Sequence, residues 1–156
     1  MTQLDKKADT RNHGGAIDAA ISQYGGVRNN WIDLSTGINP CPYPLPSFQK
    51  HHWTQLPDRS AFDAFETAAR AFWHVPNNAA IIPASGASAI IAMLPSVLEG
   101  ATVAIPEPTY NEHRASYLAH GWAVANNGDV KTIVHPNNPD GHLYSGADLT
   151  ARTCVI

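Results

Sequence analysis

Apolar residues recur along this chain at two periods, and their alternation predicts a series of helices and strands. Ile17, Ala20, Ile21 and Tyr24 fall on one helical face, and Gly25-Gly26 ends that helix. Trp31-Ile32-Asp33-Leu34-Ser35 alternates as a short strand. Further on, Phe62, Phe65, Ala69 and Phe72 line one side of a helix that Ser60 can cap, with Asp63 at its third position. Strand and helix patterns then take turns. Residues 79–84 read as a strand and 87–98 as a helix kinked at Pro95, with Ile90, Leu94 and Val97 inward. Residues 102–105 form a strand, 112–120 a helix, and 122–125 and 132–135 strands separated by a turn at Asn126-Asn127-Gly128. Residues 145–152 read as a helix and 153–156 as the start of another strand. Such alternation predicts an α/β fold with a mostly parallel sheet covered by helices on both faces.

Proline divides this pattern. Pro40, Pro42, Pro44 and Pro46 occupy every second position, and each biases its predecessor away from helix. That stretch reads as an extended arm, so residues 1–58 form an N-terminal helix and arm, and 59–156 the first part of a larger domain. Cys154-Val155-Ile156 is an apolar run with no turn signal after it, which suggests a chain cut inside a strand.

Composition narrows the classes. With 156 residues, 44% hydrophobic and 15% charged, the chain is globular rather than disordered. A net charge of −3 without charge blocks gives no reason to expect nucleic acid or an anionic membrane as partner. Two cysteines far apart argue against a disulfide framework, and Met1 to His13 lacks the apolar core of a signal peptide. The expected location is the cytoplasm.

Four segments carry candidate chemistry. In Pro83-Ala84-Ser85-Gly86-Ala87-Ser88 a strand enters a small-residue turn and a helix follows at once. The turn is either a phosphate site, with free N–H groups at the positive end of the helix, or a tight βα connection capped by Ser85. In Pro106-Glu107-Pro108-Thr109-Tyr110, the Tyr110 ring either stacks on a planar ligand beyond a strand end or packs on its own helix. His135-Pro136-Asn137-Asn138-Pro139-Asp140-Gly141 holds ordinary turn dipeptides, and alternatively the Asn138 amide donates to a ligand oxygen. His13-Gly14-Gly15 and Ser35-Thr36-Gly37 permit close backbone approach to a ligand, with His13 a possible donor to an anionic substrate or merely an exposed side chain. The eight histidines show no metal-ligand spacing, and His51-His52 reads as a solvated pair.

Taken in order, these segments resemble class I/II aminotransferase-like enzymes of fold type I. The strings HGG, WIDLSTGINP, LPD and PTYNEH are most similar to the threonine-phosphate decarboxylases of cobalamin biosynthesis. The resemblance runs from His13 to the C-terminus. It implies an incomplete large domain of that fold, preceded by an N-terminal arm, with pyridoxal 5'-phosphate as cofactor. Gly86, Ala87 and Ser88 match the loop that holds the cofactor phosphate. Tyr110 matches the aromatic that stacks on the pyridine ring, and Asn138 the amide bonded to the ring hydroxyl oxygen. His13 and Gly14 match residues touching a small phosphorylated amino acid, and Gly37 stands where some relatives have an Asn, leaving backbone contact there. The family is homodimeric.

The implied reaction is decarboxylation of L-threonine O-3-phosphate. It needs a Schiff-base Lys and an Asp paired with the pyridinium nitrogen, both downstream of the PNNP segment in the family. Lys6, Lys7, Lys50 and Lys131 do not match that Lys, and Lys131 reads as a solvated edge charge. The resemblance therefore implies a fragment, inactive alone, with no catalytic residue of its own. It also implies that strand 79–84 lacks its usual neighbour, leaving Ile81 and Ile82 less protected than Val103 and Ile133. Alternatives are a histidinol-phosphate aminotransferase-like fragment, a non-enzymatic binding remnant and a nucleotide-binding doubly wound domain.

Overall fold

The computed structural model describes residues 14–156. These fall into two compact units: residues up to Pro40 together with Ile91–Ile156, and Cys41–Ile90. Among the described residues no helix is long and apolar enough to cross a membrane.

The first unit is built on a parallel sheet flanked by helices. Its strands are β1 (Thr102–Ala104), β2 (Ala123–Val124), β3 (Val130–Thr132) and β4 (Thr153–Val155), in the spatial order β2-β1-β3-β4. Every pair is parallel, with Val103 opposite Val124 on one side and Val130 on the other. Parallel strands need crossovers, and helix α5 (Asn111–Ala119) supplies the one from β1 to β2. Val103 and Val130 are fully buried at 0% exposure, and Ile105, Tyr117 and Trp122 complete the core. The Tyr117 and Trp122 rings meet edge to face at 5.2 Å. The Tyr117 hydroxyl pairs with Thr132 Oγ1 at 3.0 Å, so neither buried hydroxyl is left without a partner.

Helix α4 (Ala87–Val97) runs through Pro95, and the division between the units falls within it. Proline has no N–H to give the carbonyl one turn back, so Ile91 O loses its helical donor. Ser116 Oγ of α5 replaces it at 2.8 Å. The Pro95 carbonyl, near the helix end, accepts from Trp122 Nε1 at 3.2 Å. The side chains that α4 buries are accordingly Ile91 and Pro95, whereas Ile90, Leu94 and Val97 were the expected inward set. Ile90 and Val97 are exposed, because the two contacts to α5 and Trp122 select the Ile91 side of the helix.

Other expectations are corrected. Residues 31–35 form no strand; a 3₁₀ turn at Arg28–Asn30 precedes an irregular stretch, because no neighbour pairs with its backbone. The third strand lies at Val130–Thr132 rather than 132–135, where β1 and β4 together set its register. Lys131 sits inside that central strand, half-buried, and its Nζ donates to Asp148 O at 2.5 Å, so it is no edge charge. Residues 145–152 shrink to one 3₁₀ turn, Gly146–Asp148, closed by a Ser145/Asp148 capping box. The Asp148 carbonyl accepts from Thr150 N at 3.0 Å as well as from Lys131 Nζ, so the chain turns here instead of continuing a helix.

In the Cys41–Ile90 unit, α2 (His51–Thr54) and α3 (Arg59–Phe72) are the helices preceding α4. Asp58, not Ser60, caps α3: its Oδ1 accepts from Ala61 N at 2.9 Å and from Ser60 Oγ at 2.8 Å. Asp63 pairs with Arg59 instead of closing a box. Of the expected buried face only Ala69 is buried, at 5% exposure, while Phe62, Phe65 and Phe72 are exposed. Residues 79–84 join no sheet, and Ile82 is 83% exposed. Arg70 holds the carbonyls of Pro76 and Ala79 at 2.8 and 3.0 Å, stitching this segment to α3 instead.

Candidate functional site

Because β1 and β3 are adjacent and parallel, the loops after them leave from the same rim of the sheet. The loop after β1 ends at Tyr110, which has extended dihedrals (φ −58°, ψ 117°) just before α5. The loop after β3 carries Asn138. The Glu107–Pro108, His135–Pro136 and Asn138–Pro139 peptides of these loops are cis. Tyr110 and Asn138 line one cavity of about 630 Å³, and Gly14 and Gly37 line it as well. That volume suits a cofactor-sized ligand.

The glycine side of the cavity is organised by Ser35. Its Oγ donates to Asp33 Oδ1 at 2.5 Å and accepts from Gly15 N at 2.7 Å, tying two segments twenty residues apart. The Ser35 hydroxyl, followed by the Ser35 N–H, holds the Asp33 carboxyl below its usual range. Gly14 adopts φ +72°, and a Cβ there would run into the Ser35 carbonyl, so both the conformation and the space require glycine.

On the other side, Asn137 is buried at 4% exposure. Its Oδ1 accepts from Thr109 Oγ1 at 2.7 Å, and its Nδ2 donates to Pro108 O at 2.8 Å and Asp140 Oδ1 at 2.7 Å. The His142 N–H, then the Asn137 amide, keeps the Asp140 carboxyl below its ordinary value. His113, one turn into α5, meets the Tyr110 ring edge-on at 6.3 Å. It is buried at 8% exposure with Nδ1 unpartnered, and burial lowers its pKa against a smaller upward pull from Glu112.

The remaining site expectations fall elsewhere. Gly86, Ala87 and Ser88 are exposed at the start of α4, in the Cys41–Ile90 unit, with Gly86 at φ +86°. His13 lies outside the described residues. Sequence reasoning named the segments that hold Ser35, Thr36 and Thr109 but gave no role to these hydroxyl side chains, whose residues line the same cavity. It also missed Asn137, whose one available signal was its place beside Asn138. The cavity therefore offers an aromatic face, an amide and close-approach backbone, the set that a planar, oxygen-bearing ring requires. Lys131 is not among its lining residues.

A parallel α/β sheet with a cleft at its C-terminal rim is the arrangement in which open α/β folds place their ligands. The chain belongs to the aminotransferase class I and II family, which it matches over residues 29–126. It is 38% identical over 149 residues to a threonine-phosphate decarboxylase of Sinorhizobium sp, covering 89% of this chain and 44% of that protein. It is 33% identical over 150 residues to a threonine-phosphate decarboxylase of Pseudomonas aeruginosa, with the same coverage of 89% and 44%. The chain thus spans less than half the length of these curated relatives.

Proposed function

We propose that this chain is the cofactor- and substrate-cradling part of a pyridoxal-phosphate-dependent threonine-phosphate decarboxylase of cobalamin biosynthesis, acting in the cytoplasm on L-threonine O-3-phosphate. The observation that carries this reading is the shared cavity of Gly14, Gly37, Tyr110 and Asn138, in a chain whose relatives bear that name. Pyridoxal phosphate, when bound, supplies the electron sink for the electron pair left as CO₂ departs. Tyr110 would stack on the pyridine ring, and the Asn138 amide would donate to the ring oxygen. The N–H groups of Gly86, Ala87 and Ser88, at the positive end of α4, would hold the cofactor phosphate. His13, Gly14, Gly37 and Asn138 would touch the phosphorylated substrate.

The same reading organises the chain as an arm over 1–58 and the first part of the large domain over 59–156, within a homodimer. Lys131, in the central strand β3, donates to Asp148 O. None of Lys6, Lys7, Lys50 and Lys131 matches the family's anchoring Lys, and each tenfold loss of rate corresponds to roughly 1.4 kcal/mol of barrier.

The test is titration of the purified chain with pyridoxal phosphate, followed by CO₂ release from threonine phosphate against a cofactor-only background. Saturable binding weakened by Tyr110→Ala, with no turnover, is expected. Absence of saturable binding rejects the cradle. Turnover abolished by replacing Lys50 or Lys131 rejects the assignment of chemistry elsewhere. A parallel arm titrates the cofactor-loaded chain with threonine phosphate and with histidinol phosphate, and tighter binding of histidinol phosphate would favour the aminotransferase alternative.

A further inference from the structure

We infer that Asn137 is a positioning residue, a clamp that sets the spacing between Tyr110 and Asn138; its functional meaning rests on the cofactor reading above. Pro108 and Thr109 immediately precede Tyr110, and Asn137 immediately precedes Asn138. Its carboxamide spans the two loops, accepting from Thr109 Oγ1 and donating to Pro108 O. The second amide proton goes to Asp140 Oδ1, within its own loop. Both amide protons and one carbonyl lone pair are thus used by a side chain buried at 4% exposure. Its backbone closes the turn as well, with Asn137 N on His142 O at 2.8 Å and Gly141 N on Asn137 O at 2.7 Å.

The network admits one amide orientation. Flipping the carboxamide would set its oxygen against Pro108 O and the Asp140 carboxylate, both of which only accept. Other residue types fail for related reasons. Asp would face the same two acceptors with a negative charge, and Leu would strand the Pro108 carbonyl and the Thr109 hydroxyl. Gln carries an extra methylene in a buried space. An aromatic on one loop and an amide on another bind a planar ring together only if the gap between them is held, and these bonds hold it across chain segments 28 residues apart.

The experiment uses ¹⁵N-labelled full chain, first without ligand. Thr109→Val removes a single hydroxyl and should shift the amide signals of Asn138 and Gly141 while leaving Val103 and Val130 in place. Asn137→Ala should shift Tyr110 and Asn138 together, and the Asn137 carboxamide protons of the parent should exchange slowly. Pyridoxal phosphate is then titrated, and Asn137→Ala should weaken its binding by roughly tenfold, with the sheet signals unchanged. Asn137→Asp alone should be at least as harmful. Pairing it with Asp140→Asn, which reverses one of the bonds, should recover part of the loss. That recovery reports the bond within the loop, whereas weaker cofactor binding with the sheet signals unchanged is the readout that a purely structural role would not produce. Fast-exchanging carboxamide protons, or Asn138 signals indifferent to Thr109→Val, would overturn the clamp. If the parent binds no pyridoxal phosphate while the ligand-free couplings appear, the cofactor reading falls and the clamp stands.

Discussion

The sheet-bearing unit and the Cys41–Ile90 unit both hold large apolar side chains, yet they bury very different shares of them. Around β1 and β3, residues far apart in sequence close over Val103, Tyr117 and Val130 until almost no surface remains. In Cys41–Ile90 the apolar stripe of α3 is regular, but Phe72 stays 78% exposed. A parallel sheet brings distant segments together through shared backbone bonds, so each strand arrives with neighbours. An amphipathic helix supplies one apolar stripe and depends on something else to cover it. Periodicity therefore identifies an element without saying whether its inner face is buried.

The sharpest test of this contrast is hydrogen exchange. Ile133 N donates to Val155 O at 2.9 Å inside the sheet, whereas residues 79–84 pair with no strand. The Ile133 amide should be protected over Ile81 and Ile82 by a factor on the order of a thousand or more. Equal protection would mean that 79–84 is paired in solution and that the contrast is wrong.

Side-chain truncation should show the same asymmetry. Tyr117→Ala removes a buried ring and strands Thr132 Oγ1, and should cost about 3–5 kcal/mol in urea unfolding. Phe72→Ala, on the exposed stripe, should stay within about 0.5 kcal/mol. A comparable loss at Phe72 would reveal that its face is covered in solution. Ser116→Ala is smaller in scale, leaving Ile91 O without the donor that Pro95 cannot provide. It should cost about 1–2 kcal/mol, and Pro95→Ala in the same background should restore part of it.

Acid titration adds the least. Ala101 N, then Thr102 Oγ1 and Thr102 N, hold the Asp129 carboxyl below its ordinary value. A folded pKa under the unfolded one, about 3.9, means the stabilisation is complete above that unfolded value. It is lost as pH falls through the lower folded value. Asp129→Asn should be less stable than the parent at neutral pH, with the gap closing below about pH 4. A gap that is constant with pH would assign the effect to shape rather than charge. Asp58 at the α3 cap is shifted in the same direction, so its helix should also weaken on acidification, independently of the sheet.

The helices were legible where local signals agree. Gly25 ends the first helix, α1 (Ile17–Tyr24), as expected, and α5 lies within one residue of its predicted start and end. The strands were legible as apolar runs, and their failures have a common cause. Residues 31–35 and 79–84 carry strand patterns and form none, because a strand exists only when another backbone meets it. Of the site, Tyr110, Asn138, Gly14 and Gly37 were named from sequence. Asn137 was passed over because two of its three bonds go to Pro108 and Thr109, which no local pattern connects to it.

By itself the sequence determined the alternation of elements, the family and the segments where ligand chemistry is sought, because these rest on local propensity and motif wording. Tertiary structure alone decided which strand patterns pair, which face of α4 is buried and which asparagine binds the two loops together. Those outcomes depend on hydrogen-bond partners from other parts of the chain. Lys131 reaching Asp148 O across 17 residues, and Ser116 serving the carbonyl that Pro95 cannot, are both of that kind.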